Sequence, residues 1–173
     1  MAQQVDIEVQ VATRSRNVPS SAELKRWAED TLVFLGRVGG VTLRLVDRAE
    51  AVRLNETYRG ALGKSGPTNV LSFPYEHPED LPPELDVGLL GDVVLCAPVI
   101  TAQARDQAKS LGAHWAHLVV HGTLHLLGFD HEDEKSAEQM EALETELLGC
   151  YGISDPYEPR AAGRREGEAP RRG

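Results

Sequence analysis

Apolar and polar residues alternate from Val5 to Val11 in VDIEVQVAT, the period-two pattern of a strand with one buried face. The period then changes. Leu24, Trp27, Ala28, Thr31, Leu32 and Leu35 recur at three-and-four spacing, which predicts an amphipathic helix with N-caps at Ser20 and Ser21 and an end near Gly36 and the Gly39-Gly40 pair. VTLRLVD returns to strand alternation, and Asp47 can cap a short helix through Ala51, Leu54, Asn55 and Tyr58. The glycine-rich RGALGKSGPTN reads as an exposed loop before a short strand, NVLSF, halted by Pro74. A second loop spans Pro74 to Pro83, and GLLGDVVLCA supplies a nearly continuous apolar strand.

Pro98 suits the first turn of a helix running through Ile100, Ala104 and Ala108 to Gly112. The next helix, from about Ala113 to Leu127, is the most apolar in the chain and is stopped by Gly128. A last helix, about Lys135 to Leu148, places Met140, Leu143 and Leu147 on one side and glutamates on the other. Strands interleaved with helices predict an α+β fold in a single small domain over residues 1–155. One mostly four-stranded mixed sheet packs against about five helices. GRREGEAPRRG lacks apolar residues, so residues 156–173 are expected to be a disordered tail.

At 173 residues the chain can bury a core without staples. Cys96 and Cys150, the two cysteines, fit neither a paired-thiol motif nor a thiolate zinc site, and the chain reads as cytoplasmic. MAQQVDIEVQ has acids where a signal peptide needs an apolar stretch, and no run reaches the ~20 apolar residues of a membrane span. An unprocessed protein with no membrane partner is expected. The net charge of −9 argues against nucleic acid at first sight, but it is unevenly spread. Residues 130–147 hold eight acids against Lys135, whereas residues 44–64 hold Arg44, Arg48, Arg53, Arg59 and Lys64 against three acids. Both segments also fit ordinary solvated faces.

The chemistry concentrates in HGTLHLLGFDH, residues 121–131. Residues four apart on a helix share a face, so His121 and His125 can aim two imidazoles at one point. Gly128 permits a sharp reversal that can return His131 to the same face as a third ligand. Three protein ligands leave one position open, the arrangement of catalytic zinc, and the site is zincin-like. His117 and His114 lie one and two turns earlier. They are candidates for partners of the ligands, for the rim, or for packing against the sheet. The spacing HxxxHxxGxxH is that of metzincin peptidases, except that Gly122 stands where a peptidase carries its glutamate base. Asp130 or an acid of the last helix can substitute as a base, and Asp130 can instead orient a ligating histidine through its second nitrogen. A deaminase reading fails because PCxxC and the glutamate two residues after its histidine are missing.

HGTLHLLGFDH, together with LNETYRG (54–60), PTNVLSFP (67–74) and LLGDVVLCAPV (89–99), resembles the YbeY family of metal-dependent rRNA-maturation endoribonucleases over nearly the full length. The arginine-rich tail departs from the family pattern. The resemblance implies one zinc ion on His121, His125 and His131, with His121 counted as catalytic and Arg59 as the arginine tied to activity. A planar guanidinium can fork onto a phosphate, which makes Arg59 a substrate-binding candidate too. LSFP would form a sheet edge beside the cleft. Ser72 has no nucleophile-elbow context and reads as structural, while its place on that edge makes it a candidate for touching substrate. The resemblance further implies single-strand cleavage in 3′-end maturation of 16S rRNA and in ribosome quality control. The implied partners are the 16S precursor, the small ribosomal subunit, ribosomal proteins and an assembly GTPase. The alternatives are a ribosome-assembly factor with a mainly structural metal, which the −9 charge favours, and a metallopeptidase, which Gly122 disfavours.

Overall fold

The computed structural model describes residues 4–59, 68–75, 88–129 and 133–154. Its strands are β1 (Val5–Ala12), β2 (Gly39–Val46), β3 (Val70–Pro74) and β4 (Leu89–Cys96), and its helices α1 (Ser21–Phe34), α2 (Arg48–Arg59), α3 (Ala97–Asp106), α4 (Leu111–Leu126) and α5 (Glu134–Gly149). The sheet runs β1-β2-β4-β3. β1, β2 and β4 are parallel, and β3 pairs antiparallel with β4 from Val70 opposite Leu95 to Pro74 opposite Gly91. This is the expected α+β architecture with a mixed four-stranded sheet and five helices.

Alternation along the strands divides the interior in two. Leu43 and Leu45 of β2 and Val93 and Leu95 of β4 face a large core shared with α1 and α4. Val46, Val94 and Cys96 face the other way, with Leu71 of β3 and Ala51 of α2. Thus α4 and α2 lie on opposite faces of the sheet, and β3 is the edge strand between them. On the larger side α1 is fixed at its start by Ser20, whose hydroxyl accepts from the Glu23 N–H while the Glu23 carboxylate accepts from Ser20 N–H. Its apolar stripe buries Leu24, Trp27, Ala28 and Leu32. Leu24 is fully enclosed, and truncating such a residue to alanine costs about 2–5 kcal/mol.

The boundary between α3 and α4 differs from the periodic reading. α3 ends at Asp106, Ala108 takes a left-handed φ of 54°, and Lys109 N–H closes back on the Ala104 carbonyl. Ser110 then caps α4 by accepting from Ala113 N–H, so Gly112 lies in a first helical turn and terminates nothing. Gly128, with φ of 105°, does end α4 as expected. Most of the expected loops at 59–69 and 74–83, along with His77 and the expected tail at 156–173, lie outside the described residues. No helix among the described residues is long and apolar enough to cross a membrane.

Candidate metal centre

Four histidines form one stripe on α4. Successive ring centroids are 6.3 Å apart between His114 and His117, 6.0 Å between His117 and His121, and 5.7 Å between His121 and His125. The stripe is graded in exposure: His114 and His117 are buried, His121 and His125 half-buried near the C-terminal end. Two imidazoles bound tetrahedrally to one zinc, with Zn–N near ~2.0–2.1 Å, would have centroids about 5 Å apart. The edge-to-face arrangement of His121 and His125 is close to that spacing.

α5 contributes the group that the sequence pattern concealed. Asp133 caps the helix by accepting from Ser136 N–H, and Met140, Leu147 and Leu148 seat it in the core. Glu144 sits among them, fully buried. A buried carboxylate with no partner costs several kcal/mol, so its surroundings matter. Its Oε2 is 2.5 Å from His121 Nδ1, and its Oε1 is 3.6 Å from His117 Nε2. His121 therefore donates through Nδ1 to the carboxylate, which fixes the ring plane. His117 is not at a rim; it lies against the same carboxylate.

His117, His121 and Glu144 are the described residues whose ligand atoms could hold a metal ion, all lying within 4.8 Å of one another. Two atoms on one zinc at tetrahedral angles stand about 3.3 Å apart. At 2.5 Å, His121 and Glu144 are instead joined by a charge-assisted hydrogen bond. The carboxylate orients the imidazole.

The missing peptidase base has a steric reason. A Cβ at Gly122 would lie 2.6 Å from Val93 Cγ1 and 2.9 Å from Val70 Cγ2, so α4 rests on β3 and β4 at a separation where any side chain forces a shift. A glutamate there has no room and would point into the sheet. Ser72 clamps the same contact: its hydroxyl donates to the Gly122 carbonyl at 2.8 Å. That bond gives Ser72 a structural task beside His121.

At the other end of the stripe His114 belongs to a neutral network. Its Nε2 donates to Gln103 Oε1 at 3.1 Å, and the same oxygen accepts from Asn69 Nδ2 at 3.0 Å. Burial, with Lys109 and His117 adding repulsion, pushes the His114 imidazole down to about 4, so it is uncharged at neutral pH.

His131 and Asp130 lie outside the described residues. Arg59 closes α2, and its side chain is likewise outside them. Glu144 was counted among solvated acids, although its spacing of four from Met140 and three from Leu147 places it on the apolar side of α5.

Fold and site together define a small α+β protein carrying a helix-borne histidine centre whose imidazole is held by a buried carboxylate. Comparison with known proteins makes the class specific. The family model described as endoribonuclease YbeY matches residues 8–152. The curated protein "Endoribonuclease YbeY" of Nitrosococcus oceani is 48% identical over 154 residues, covering 89% of this chain and 97% of the relative. Its namesake from Xanthomonas axonopodis pv. citri is 50% identical over 153 residues, covering 88% and 93%. Among solved structures, the solution structure of TM1509 from Thermotoga maritima matches with a TM-score of 0.53 and 25% identity over 91% of this chain and 99% of that one. The chain belongs to the endoribonuclease YbeY family, hydrolases that act on RNA.

Proposed function

We propose that this protein is a zinc-dependent, single-strand-specific endoribonuclease of the cytoplasm, acting in 16S rRNA 3′-end maturation and ribosome quality control. His121, His125 and His131 would hold one ion, and Arg59 would grip the phosphate next to the scissile bond. The observation that carries this reading is the Glu144 carboxylate on His121 Nδ1, the partner a metal-binding histidine needs for its other nitrogen. When bound, the ion supplies Lewis-acid neutralisation of phosphoryl charge. The chain's own residues do the rest. Glu144 keeps one imidazole in a single tautomer, Gly122 seats α4 tightly on the sheet, and Arg59 would pair with the charge that develops on the phosphoryl oxygens.

Lack of a glutamate after His121 is tolerable for this chemistry. Phosphodiester cleavage depends mainly on positioning and charge neutralisation, and RNA brings its own 2′-hydroxyl. The steric exclusion at Gly122 weighs against a metallopeptidase. The net charge of −9 supports a second reading, a ribosome-assembly factor that reaches RNA through ribosomal proteins and an assembly GTPase.

Purified protein incubated with an rRNA 3′-end substrate, with and without chelator, separates the readings when His125→Ala and Arg59→Ala are run alongside. Cleavage that chelation abolishes and that both variants lose is the expected result. Cleavage surviving in His125→Ala would expose a contaminating nuclease. Restored ribosome assembly in cells carrying the inactive variants would favour the assembly factor.

A further inference from the structure

A polar cavity of about 330 Å3, with no histidine in its lining, opens at the carboxyl ends of the parallel strands. Arg16 reaches it from the segment after β1, Arg48 from the first residue of α2, and Arg105 from α3; Ser15, Asn17 and Thr101 add hydroxyl and amide groups. Three guanidiniums around one cavity are unexpected in a chain with a net charge of −9. Among the described residues Arg105 is ion-paired with its neighbour Asp106 alone, at 3.8 Å and exposed. Among the described residues neither Arg16 nor Arg48 is ion-paired. The carboxylate of Asp47, next to Arg48, accepts from the Thr13 hydroxyl and from Arg14 N–H. The first turns of α2 and α3 both border the cavity, so their positive dipole ends add to the field. Unpaired guanidiniums with hydroxyl and amide donors between them suit a phosphate oxyanion.

We infer that this cavity is a phosphate-binding subsite for single-stranded RNA, remote from the bond that is cut. The inference rests on the nuclease reading and adds where the strand is held. α2 connects the two places: Arg48 begins it at the cavity, and Arg59 ends it as the last of its 12 residues. A helix of that length spans about 18 Å. Stacked nucleotides advance about 3.4 Å each, so roughly five or six would bridge the two arginines. A strand following α2 would thus be gripped at one end and cut at the other.

The test is binding, independent of cleavage. Fluorescence anisotropy of a 2′-O-methyl uridine 12-mer and of a trimer is measured over a salt series. The proteins are the full-length wild type, Arg16→Gln/Arg48→Gln, and a control with equal charge change on the α1 side, Lys25→Gln/Arg37→Gln. All four residues are exposed, and melting curves check that each protein folds. The cavity variant is expected to bind the 12-mer about tenfold more weakly at low salt. Its log K against log salt slope should flatten by about 1.4, two single-strand phosphate contacts at ~0.7 each. The trimer should be unaffected, as should both probes in the control. Equal losses in the control, or equal losses for the trimer, overturn the subsite while leaving the nuclease reading standing. Displacement of the 12-mer from wild type by millimolar inorganic phosphate would make the free anion the ligand, and tight binding of a polyglutamate peptide dependent on Arg16 and Arg48 would assign the cavity to an acidic protein. Either overturns the inference. A wild type that binds neither RNA removes the nuclease reading, and this subsite with it.

Discussion

His114 and His121 stand two turns apart on α4, and each is bonded through one ring nitrogen to a side chain of another helix. For His114 the partner is an amide, Gln103, which also ties down Asn69 at the start of β3. For His121 it is a carboxylate, Glu144, enclosed by the α4–α5 seam. The amide network is electrically neutral and deep, so it keeps its imidazole uncharged and fastens α3, α4 and β3 together. The carboxylate network places an acidic partner behind a half-buried ring, the kind of partner that orients a metal-ligating histidine. The same residue type on the same helix is structural at one end and equipped for metal at the other, and the partner's charge decides which.

Removing Glu144 should have the largest effect. Glu144→Ala is expected to cost at least about 3 kcal/mol in denaturant unfolding, because it breaks a buried charge-assisted pair. It should also lower zinc affinity about 10–100-fold in chelator competition. Glu144→Gln is the sharper variant, since it converts the His121 site into a copy of the Gln103–His114 site. It should retain most of the stability and still bind zinc more weakly. Glu146→Ala, on the exposed side of α5, should stay within about 0.5 kcal/mol of wild type. Unchanged zinc affinity in Glu144→Gln would erase the distinction between the two networks.

The neutral network should reveal itself through pH. The His114 pKa is lowered from the ordinary 6.5 to about 4, so the folded state favours the neutral ring. Its contribution is fully present above about pH 6.5 and is lost as pH falls toward 4, because the unfolded chain takes up the proton first. Between pH 7 and 5 wild type should lose about 2 kcal/mol more than His114→Gln does. Parallel stability profiles for the two proteins would show that His114 is not held neutral.

Strands, helix faces and the helix-stopping glycine were legible in the sequence because each follows from a local period or a backbone preference. α1 needs only its stripe and its cap, and Gly128 only its positive φ. The helix break at Ala108 was illegible, since alanine seldom adopts a left-handed φ and the Lys109 closure onto Ala104 leaves no mark in composition. His121 and His125 could be paired by spacing alone. Glu144 could not, because what makes it special is burial against a helix 23 positions earlier, a tertiary fact hidden in a run of acids. Gly122 was noticed for the glutamate it lacks, whereas the physical reason, contact with Val93 and Val70, required the sheet.

Gly122→Ala tests how much the site depends on that contact. Overpacking typically costs about 1–3 kcal/mol, and the better helix propensity of alanine returns about 1, so a net loss of up to about 2 kcal/mol is expected from thermal unfolding. The shift of α4 should weaken zinc binding at His121 and leave the pH signature of His114 intact. A variant that alters both networks equally would mean that α4 moves as one rigid rod.

Ser72→Ala is the mildest probe and decides between the two roles assigned to that residue. Its hydroxyl donates to the Gly122 carbonyl, a part-buried bond between the edge strand and α4. Losing it should cost about 1 kcal/mol in unfolding experiments. The carbonyl already lies within α4, so the damage is confined to the clamp. If Ser72 serves only to hold α4 against β3, RNA affinity measured by anisotropy will be unchanged when both proteins are compared well below their melting temperatures. If it also touches substrate, affinity will fall by severalfold at constant metal occupancy, and Ser72→Cys, with a weaker donor, will sit between the two.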